Sequence, residues 1–301
     1  MQICFYVLSY VVTKTTFENI GDEIMYKILI DSCGEFTKEM QENPVYEHVA
    51  LQLQVGDWMQ MDDETFDQKT FLKRIAEYEG CAKSACPAPH QYMKMFEGCD
   101  EVYIVTLSGN LSGSYNSAKT ATDMYIEEHP EVKIHIFDSC SASIGETLIG
   151  LKIYEMAEAG MSFEEIVEKG EAYKLSVHTY FVLDNLETLR KNGRLSSVKA
   201  FVASTLNIKP IMGATDEGVI IQLSQTIGIK KALNKLAQTV IKEKSATPGK
   251  PLMISHCNAP DRAEHVKDIL EKSGLFSSIG ILDTAGISSL YANDGGVIIA
   301  V

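Results

Sequence analysis

Short apolar runs alternate with segments of helical periodicity in the first half of the chain. Strand-like runs occupy 26–32, 49–55, 101–108 and 132–139, and helical patterns occupy 67–79, 87–97, 112–128, 144–159 and 162–174. Repeated strand and helix units of this kind form a parallel sheet with helices on both faces. The strand ends at Asp31, Ser108 and Asp138 are therefore predicted to face one crevice, where open α/β sheets hold their ligands.

The pattern changes after about residue 175. Apolar runs at 209–215 and 219–227 flank the turn Asp216-Glu217-Gly218 and predict a β-hairpin. Further strands are predicted at 179–185, 251–257, 277–285 and 295–301, with helices at 186–193, 197–207, 230–244 and 260–274. We therefore predict two α/β domains: 25–175 with a mostly parallel sheet, and 176–301 with a mixed sheet.

The first 24 residues do not fit this organisation. Their apolar stretch, QICFYVLSYVV, is too short to span a bilayer, and no positive segment or cleavage site accompanies it as in a signal peptide. The residues GDEIM can be encoded with a ribosome-binding sequence just before the codon for Met25. Our hypothesis is that Met25 is the physiological start and that residues 1–24 are a non-native or disordered extension.

Composition narrows the class of protein. The chain has 45% hydrophobic and 23% charged residues, as in ordinary globular proteins, and a net charge of -14, which argues against nucleic acid as a partner. Seven scattered cysteines without a C-x-x-C pair indicate a reduced, cytoplasmic protein. Cys81 and Cys86 have no companion at zinc spacing, so we predict no metal, and we expect no stable membrane insertion.

Residues 81–118 contain two turns rich in small and hydroxyl residues, each followed by a helical pattern. Ser84 lies in the first turn and Ser108-Gly109-Asn110 in the second, close to predicted helix starts where free N–H groups and the helix dipole favour an anion. On spacing alone, helix N-caps explain both serines as well. Asp31 and Asp138 are interpreted as loop-stabilising residues rather than acid–base catalysts.

Several of these segments occur together in one family. The stretches KILIDSCGE, KSACPAPHQY, VTLSGNLSGSYNSA, HIFDSCSASIGE, LDNLETLRKNGRLS and LNIKPIM, in this order, resemble the DegV family of bacterial fatty-acid-binding proteins from about residue 26 to the C-terminus. The resemblance implies two domains with one long-chain fatty acid buried between them. It also implies a carrier that is not itself an enzyme and needs no cofactor, and some members of the family present their fatty acid to a separate fatty acid kinase.

The resemblance also implies particular site residues. The carboxylate-binding Thr of the family's TSQPSP turn falls on Ser84 in SACPAP, and the family's ISSGLSGTYQSA loop corresponds to LSGNLSGSYNSA. The expected ligand-binding residues are therefore Ser84, Ser108, Gly109, Asn110, Ser112 and Tyr291. Three positions depart from the family pattern: Gly109 replaces a Ser, Tyr291 replaces a His near the head group, and Ile227 replaces an Arg.

One segment is positive against the acidic background. Between Thr188 and Thr215 there is no Asp or Glu, and five cations occur there: Arg190, Lys191, Arg194, Lys199 and Lys209. Three roles are open for this segment. It could be a solvated helix end, a docking patch for an acidic or phosphate-bearing partner that includes Lys191 and Lys199, or, through Arg194, a brace for the ligand crevice.

Physical chemistry of the residues supports the carrier. Hydroxyl and N–H donors suit a carboxylate, and about fourteen buried methylenes contribute a gross 11 kcal/mol at about 0.8 kcal/mol each. The competing hypothesis is a phosphoryl-transfer enzyme similar to dihydroxyacetone kinase, since small-residue loops can also cradle phosphate. Against it, the sequence has no G-x-x-x-x-G-K-[ST] motif and no acidic cluster recognisable as a magnesium site.

Overall fold

The structure is a computed structural model that describes residues 25–195 and 207–301. The predicted extension 1–24 and almost all of the predicted helix 197–207 lie outside the described residues. The first part of the chain contains the following elements: β1 Tyr26–Asp31, α1 Lys38–Glu42, β2 Tyr46–Val49, β3 Gln52–Val55, β4 Trp58–Met61, α2 Gln68–Glu77, β5 Lys83–Ala85, α3 Pro89–Phe96, β6 Glu101–Thr106, α4 Ser114–Glu128, β7 Lys133–Asp138, α5 Ile144–Glu158 and α6 Phe163–Lys174.

Four strands form the predicted parallel sheet, in the order β2-β1-β6-β7. Side chains of β1 alternate between two apolar layers, as the pleat of a strand requires. Ile28 and Ile30 pack with Ile149 of α5, whereas Leu29 packs on the opposite face with Phe96 of α3 and Ala118 of α4. The two layers explain why this sheet reads as continuous apolar runs rather than as alternating ones.

A small antiparallel sheet, in the order β4-β3-β5, differs from the predicted elements. The apolar run 49–55 is not one strand, because β2 ends at Val49 in the parallel sheet and β3 begins at Gln52 in the small one. Ser84 lies within β5, where it pairs with Leu53, and not in a turn that opens a helix. The alternative interpretation of Ser84 as a helix N-cap is therefore wrong, because Ser84 pairs with β3 and the N-cap of α3 is Ala88.

The second part of the chain contains the mixed sheet, whose strand order is β10-β9-β8-β13-β11-β12. Among the described strands of this sheet, only β11 and β12 are parallel neighbours, and the predicted hairpin is β9-β10. The chain enters this sheet after α6, and the predicted boundary at 175/176 lies in the connection. The elements are β8 Thr179–Val182, α7 Glu187–Lys191, β9 Ile208–Ala214, β10 Ile220–Ile227, α8 Ile229–Lys244, β11 Pro251–His256, α9 Pro260–Glu271, β12 Ser278–Asp283, α10 Gly286–Ala292 and β13 Val297–Ala300.

The two faces of the mixed sheet have different partners. On one face, Tyr180 and Val182 of β8 pack in a core with side chains of α8 and α9. On the other face, Thr179 and Phe181 point toward the loops that follow the parallel strands. The sheet therefore presents an apolar face to the crevice predicted at the parallel strand ends.

The tip of the β9-β10 hairpin touches the loop after β6. Gly218 has φ +75°, and a Cβ atom there would lie 2.3 Å from Ser108 Oγ and 2.7 Å from Cys140 Cα. Only glycine permits this conformation together with this approach. The hairpin tip is thus seated directly on the first sheet's loops.

Candidate functional site

A cavity of about 750 Å³, including its mouth, lies between the mixed sheet and the loops that follow the parallel strands. Its wall is mainly apolar, and residues from both parts of the chain contribute to it. The lining residues are Cys33, Leu107, Leu111, Cys140, Ser141, Ala142, Ser143, Thr179, Phe181, Leu183, Leu189, Arg194, Ala214, Gly218, Ile220, Ile287, Ser288, Tyr291, Ala292 and Ile298.

The hydroxyl groups in the pocket wall are bonded to other protein groups. Ser141 Oγ lies 2.5 Å from Thr179 Oγ1, and Ser143 donates to Glu35 Oε2 at 2.7 Å. Ser288 donates to the Cys33 carbonyl oxygen at 3.0 Å. Because these hydroxyls already have partners, they do not require water in the pocket. The wall can therefore accept an alkyl chain without leaving those polar groups unpaired.

Arg194 and Tyr291 lie in the pocket wall, and together with Ser84, which bonds to Tyr291 but does not line the cavity, they form what we call the Arg194 cluster. Tyr291 Oη lies 3.0 Å from Ser84 Oγ, and the Arg194 guanidinium carbon lies 5.8 Å from the centre of the Tyr291 ring. Arg194 Nε donates to the Leu111 carbonyl oxygen at 3.0 Å, and Nη1 donates to the Asn192 carbonyl oxygen. These bonds hold the guanidinium over the Tyr291 ring. A cation and the Tyr291 hydroxyl are thus grouped at a mainly apolar cavity.

In the loop after β6, the groups that were predicted to bind the head group are bonded to other parts of the protein. Ser108 is buried, and its hydroxyl donates to the Gly218 carbonyl oxygen at 3.0 Å. The Gly109 N–H donates to Asp138 Oδ1 at 3.1 Å, and Asn110 Nδ2 donates to the Glu217 carbonyl oxygen at 2.7 Å. These residues therefore bind the hairpin tip and the loop after β7.

Ser112 is also engaged locally. It accepts a bond from the Ser114 N–H at 3.2 Å and donates to Ser114 Oγ at 3.3 Å. Asp138 accepts a second N–H, from Cys140, at 3.2 Å. Asp31 accepts N–H groups from Cys33 and Leu107 at 3.1 and 3.0 Å. The interpretation of both aspartates as loop-stabilising residues is confirmed.

Two of the five cations in the positive segment form ion pairs with acidic side chains. Arg190 pairs with Glu187 at 2.8 Å, and Lys209 pairs with Asp184 at 2.9 Å. Lys191 is exposed at the end of α7, and Lys199 lies outside the described residues. The local charge that a partner would meet is therefore smaller than the sequence alone indicates.

A second polar region, which we call the acid cluster, adjoins the pocket and consists of Asp31, Cys33, Glu35 and Glu146. All four side chains are almost completely buried. Burial raises the pKa of Asp31 to about 6, against the backbone N–H bonds that lower it, and raises the pKa of Glu35 to about 7. Burial, followed by the charge of Asp31, raises the pKa of Glu146 well above its ordinary value.

Sequence reasoning missed two sets of residues. The alternation of Thr179, Phe181 and Leu183 could have identified the pocket face of β8, because every second residue of a strand shares a face. The acid cluster gave no such signal, since Glu146 is more than one hundred positions away from Cys33 along the chain. Helix α10, which carries Ser288 and Tyr291, was also not predicted.

Fold and site together define a two-domain α/β protein with an apolar pocket between its domains. The model of the DegV family, described as "Uncharacterised protein, DegV family", matches residues 25–301. The chain therefore belongs to the DegV family, as its motifs predicted. A DegV domain-containing protein of Streptococcus gordonii is 34% identical over 275 residues, which cover 91% of this chain and 97% of the relative.

Solved structures agree with this assignment. A DegV family protein from Ruminococcus gnavus, refined with vaccenic acid, is 49% identical with a TM-score of 0.89, covering 93% of this chain and 100% of that one. The B3 protein of Streptococcus pneumoniae fatty acid kinase, loaded with linoleic acid, is 31% identical with a TM-score of 0.83, covering 92% and 99%. A Eubacterium eligens protein loaded with heptadecanoic acid is 29% identical with a TM-score of 0.83, covering 91% and 98%. Within the described part of this chain, none of the helices combines the length and the apolar character needed to cross a bilayer.

Proposed function

We propose that this protein binds one long-chain fatty acid, with the alkyl chain in the pocket and the carboxylate at the Arg194 cluster. The observation that carries the proposal is the pairing of an apolar cavity with a group of donors that includes a guanidinium. A fatty acid has the same two parts, one charged end and a long apolar chain. The relatives from Ruminococcus gnavus and Eubacterium eligens, which hold vaccenic and heptadecanoic acids, support the same ligand class.

The alkyl chain supplies most of the affinity. Each buried methylene contributes about 0.8 kcal/mol, so about fourteen of them contribute a gross 11 kcal/mol before the costs of ordering the ligand. The side chains that would contact the chain come from both domains, including Leu107, Phe181, Leu183 and Ile298. Affinity should therefore rise with chain length until the cavity is filled.

The head group sets the orientation. An arginine carries five N–H donors, and hydrogen bonds to an ionised carboxylate contribute about 1.5–3 kcal/mol each. Tyr291 and Ser84 share one hydrogen bond, so one of the two hydroxyls remains a donor for the ligand. We assign Ser108, Gly109, Asn110 and Ser112 a positioning role, because their donors hold the loops that form this part of the wall.

The B3 protein of fatty acid kinase extends the proposal to a partner. We infer that this chain is a carrier without chemistry of its own, which presents its fatty acid to a kinase. The proposed contacts for an acidic or phosphate-bearing partner are the exposed Lys191 and Lys199, which follows eight positions later in the sequence. The apolar pocket wall and the engaged Gly109 N–H group favour this carrier over a phosphoryl-transfer enzyme, which needs open anion donors.

Equilibrium binding to the delipidated full chain tests the proposal. Vaccenic acid is expected to bind one molecule per chain, and the corresponding alcohol should bind about 10 to 150 times more weakly, because it lacks the charge that Arg194 recognises. A short-chain acid should show no saturable binding. Failure of vaccenic acid to bind would contradict the proposed function, and equal affinity for acid and alcohol would contradict the head-group assignment.

A further inference from the structure

The acid cluster is separate from the proposed head-group site, and of its four residues Cys33 alone lines the pocket. Its members come from distant parts of the chain: Asp31 ends β1, Cys33 and Glu35 follow in the next loop, and Glu146 is in the first turn of α5. Oxygen atoms of Asp31 and Glu146 and the sulfur atom of Cys33 all lie within 4.8 Å of one another. The structure thus brings three metal-ligating side chains to one point inside the protein.

The cluster also contains buried acceptors without donors. Among the described residues, neither carboxyl oxygen of Glu146 has a hydrogen-bond partner, and Glu35 Oε1 also lacks one. Glu146 is 0% exposed, so water at the protein surface cannot serve it. Unpaired buried acceptors are costly, and each requires a proton, an enclosed water or a cation.

Ion pairing with the protein does not neutralise the cluster. The ion pairs in the described part of the chain use other carboxylates, such as Glu47, Asp184 and Glu187. Three neighbouring acidic carboxyls therefore lack a basic side chain, although each is buried. Burial raises the pKa values of these carboxyls, and a divalent cation would offset that cost by stabilising their ionised forms within the site.

Surrounding groups already orient the three candidate ligands. The Ser143 N–H, at the start of α5, donates to Cys33 Sγ at 3.4 Å, although burial, followed by the charges of Glu146, Asp31 and Glu35, raises the pKa of the Cys33 thiol well above its ordinary value. Asp31 is held by its two backbone N–H bonds, as outer-shell groups hold metal ligands. A Cβ atom on Gly34 would lie 3.0 Å from the Glu146 Cβ, so glycine at 34 lets the Cys33 loop lie against α5.

We propose that Asp31, Cys33 and Glu146 form a binding site for a divalent metal ion, for which zinc is the best match. Zinc accepts carboxylate oxygen and thiolate sulfur together at about 2.0–2.3 Å, which places tetrahedral ligands roughly 3.5 Å apart. The three atoms lie within 4.8 Å of one another and would have to move closer together to reach this separation. Glu35 or a water molecule completes the coordination. Binding transfers the Cys33 thiol proton and any proton on Glu146 to solvent, with no change of oxidation state.

The ion has a route to the site through the ligand pocket. Cys33 lines that pocket, and so do its neighbours Ser143 and Ser288. The sulfur side of the site therefore faces the cavity, whereas Asp31 and Glu146 lie behind it. The metal site does not depend on the fatty acid, and it can be tested with the delipidated chain.

Zinc retention by the chelator-treated full chain tests the proposal. After incubation with zinc chloride and gel filtration, elemental analysis should find one zinc per chain. Cys33→Ser and Glu146→Gln should each weaken zinc binding at least tenfold. Glu155→Gln, at an exposed position on the same helix, and Cys86→Ser, which removes an exposed thiol, are the matched controls and should retain it.

Cobalt substitution gives a readout that does not depend on the folding of the Glu146 variant. Cobalt bound to the wild-type chain should show a thiolate charge-transfer band, which Cys33→Ser removes and Cys86→Ser preserves. A wild-type chain that retains no zinc would overturn the proposal and favour a proton shared between Asp31 and Glu146. Zinc lost from Cys86→Ser but kept by Cys33→Ser would also overturn it.

Discussion

The Arg194 cluster and the acid cluster border the same pocket but are built in opposite ways. In the Arg194 cluster, a cation and two hydroxyls are partly buried, and each has a protein partner. In the acid cluster, the carboxyls are fully buried, and those of Glu35 and Glu146 include oxygens without a donor. Helix α10 contacts both clusters. Its Ser288 bonds to Cys33, and its Tyr291, about 4.5 Å further along the helix axis, bonds to Ser84.

This difference bears on where the proposed site would hold the negative charge of a ligand. A fatty-acid carboxylate is attracted to the guanidinium of Arg194 and repelled by any negative charge on Asp31 or Glu146. In the proposed complex, the two clusters would therefore act together to give the fatty acid one orientation. The apolar wall between them provides affinity but little preference for direction.

The largest expected effect comes from filling the pocket that both clusters share. Ala214 ends β9 in the pocket wall, and Ala214→Trp should lower affinity for vaccenic acid more than 100-fold, because the added ring occupies the space of the alkyl chain. Isothermal titration checks this. Ala157→Trp, on α5 outside the pocket wall, is the control. Unchanged binding by Ala214→Trp would show that the ligand lies elsewhere.

A second prediction tests whether water is excluded beside the acid cluster. His48 lies 2.8 Å from the Gly34 carbonyl oxygen, and burial lowers its pKa to about 4. Since the unfolded chain binds this proton near pH 6.5, the contribution of His48 to stability should be lost as the pH falls from about 6.5 to 4. The full loss is about 3 kcal/mol.

Denaturant unfolding at several pH values measures this contribution. The His48→Gln variant should lose less stability than the wild type over that window, by about 3 kcal/mol at its lower end. The comparison of the two proteins isolates His48 from the buried carboxyls, whose raised pKa values act in the opposite direction. Parallel pH profiles for the two proteins would mean that solvent reaches His48.

The third prediction removes the positive charge of the Arg194 cluster. Arg194→Gln should weaken vaccenic acid about 10 to 150-fold and leave the corresponding alcohol nearly unchanged, because only the acid has a charge to lose. Arg190→Gln, which breaks the exposed pair with Glu187, is the matched control and should bind both as the wild type does. An equal loss for acid and alcohol in Arg194→Gln would indicate a structural role alone.

The smallest expected effects distinguish Ser84 from Ser108, although the sequence predicts the same ligand-binding role for both. Ser84→Ala should weaken acid binding about threefold to tenfold with little change in stability, because Ser84 is only partly buried beside Tyr291. Ser108→Ala should instead lower unfolding free energy by about 1–3 kcal/mol, because it leaves the buried Gly218 carbonyl without this donor. Chemical denaturation and titration of both variants measure the two effects, and a reversed pattern would reassign the head group to Ser108.

Local patterns predicted the fold well where neighbouring residues determine it. The parallel strands, the mixed sheet and the Asp216-Glu217-Gly218 hairpin were all expected and are confirmed. Long-range pairing produced the exceptions. Ser84 joined a strand because β3 lies beside it, and α10 is too short to show a clear helical period.

The candidate site was predicted only in part, because long-range contacts determine the rest of it. Motifs singled out Ser84, Arg194 and Tyr291, which the structure brings together, although direct head-group binding by them remains a prediction. The same motifs suggested Ser108 and Gly109 as ligand contacts, but sequence could not show that Gly218 and Asp138 occupy their donors. Such partners are set by how the two sheets pack and not by local periodicity.

Native mass spectrometry of the full chain, purified from a bacterial host without added lipid, tests the central claim most directly. The account predicts a mass increase that matches one long-chain fatty acid per chain, lost on delipidation and absent from Ala214→Trp. A wild-type chain that carries no fatty acid and does not bind vaccenic acid after purification would contradict the account.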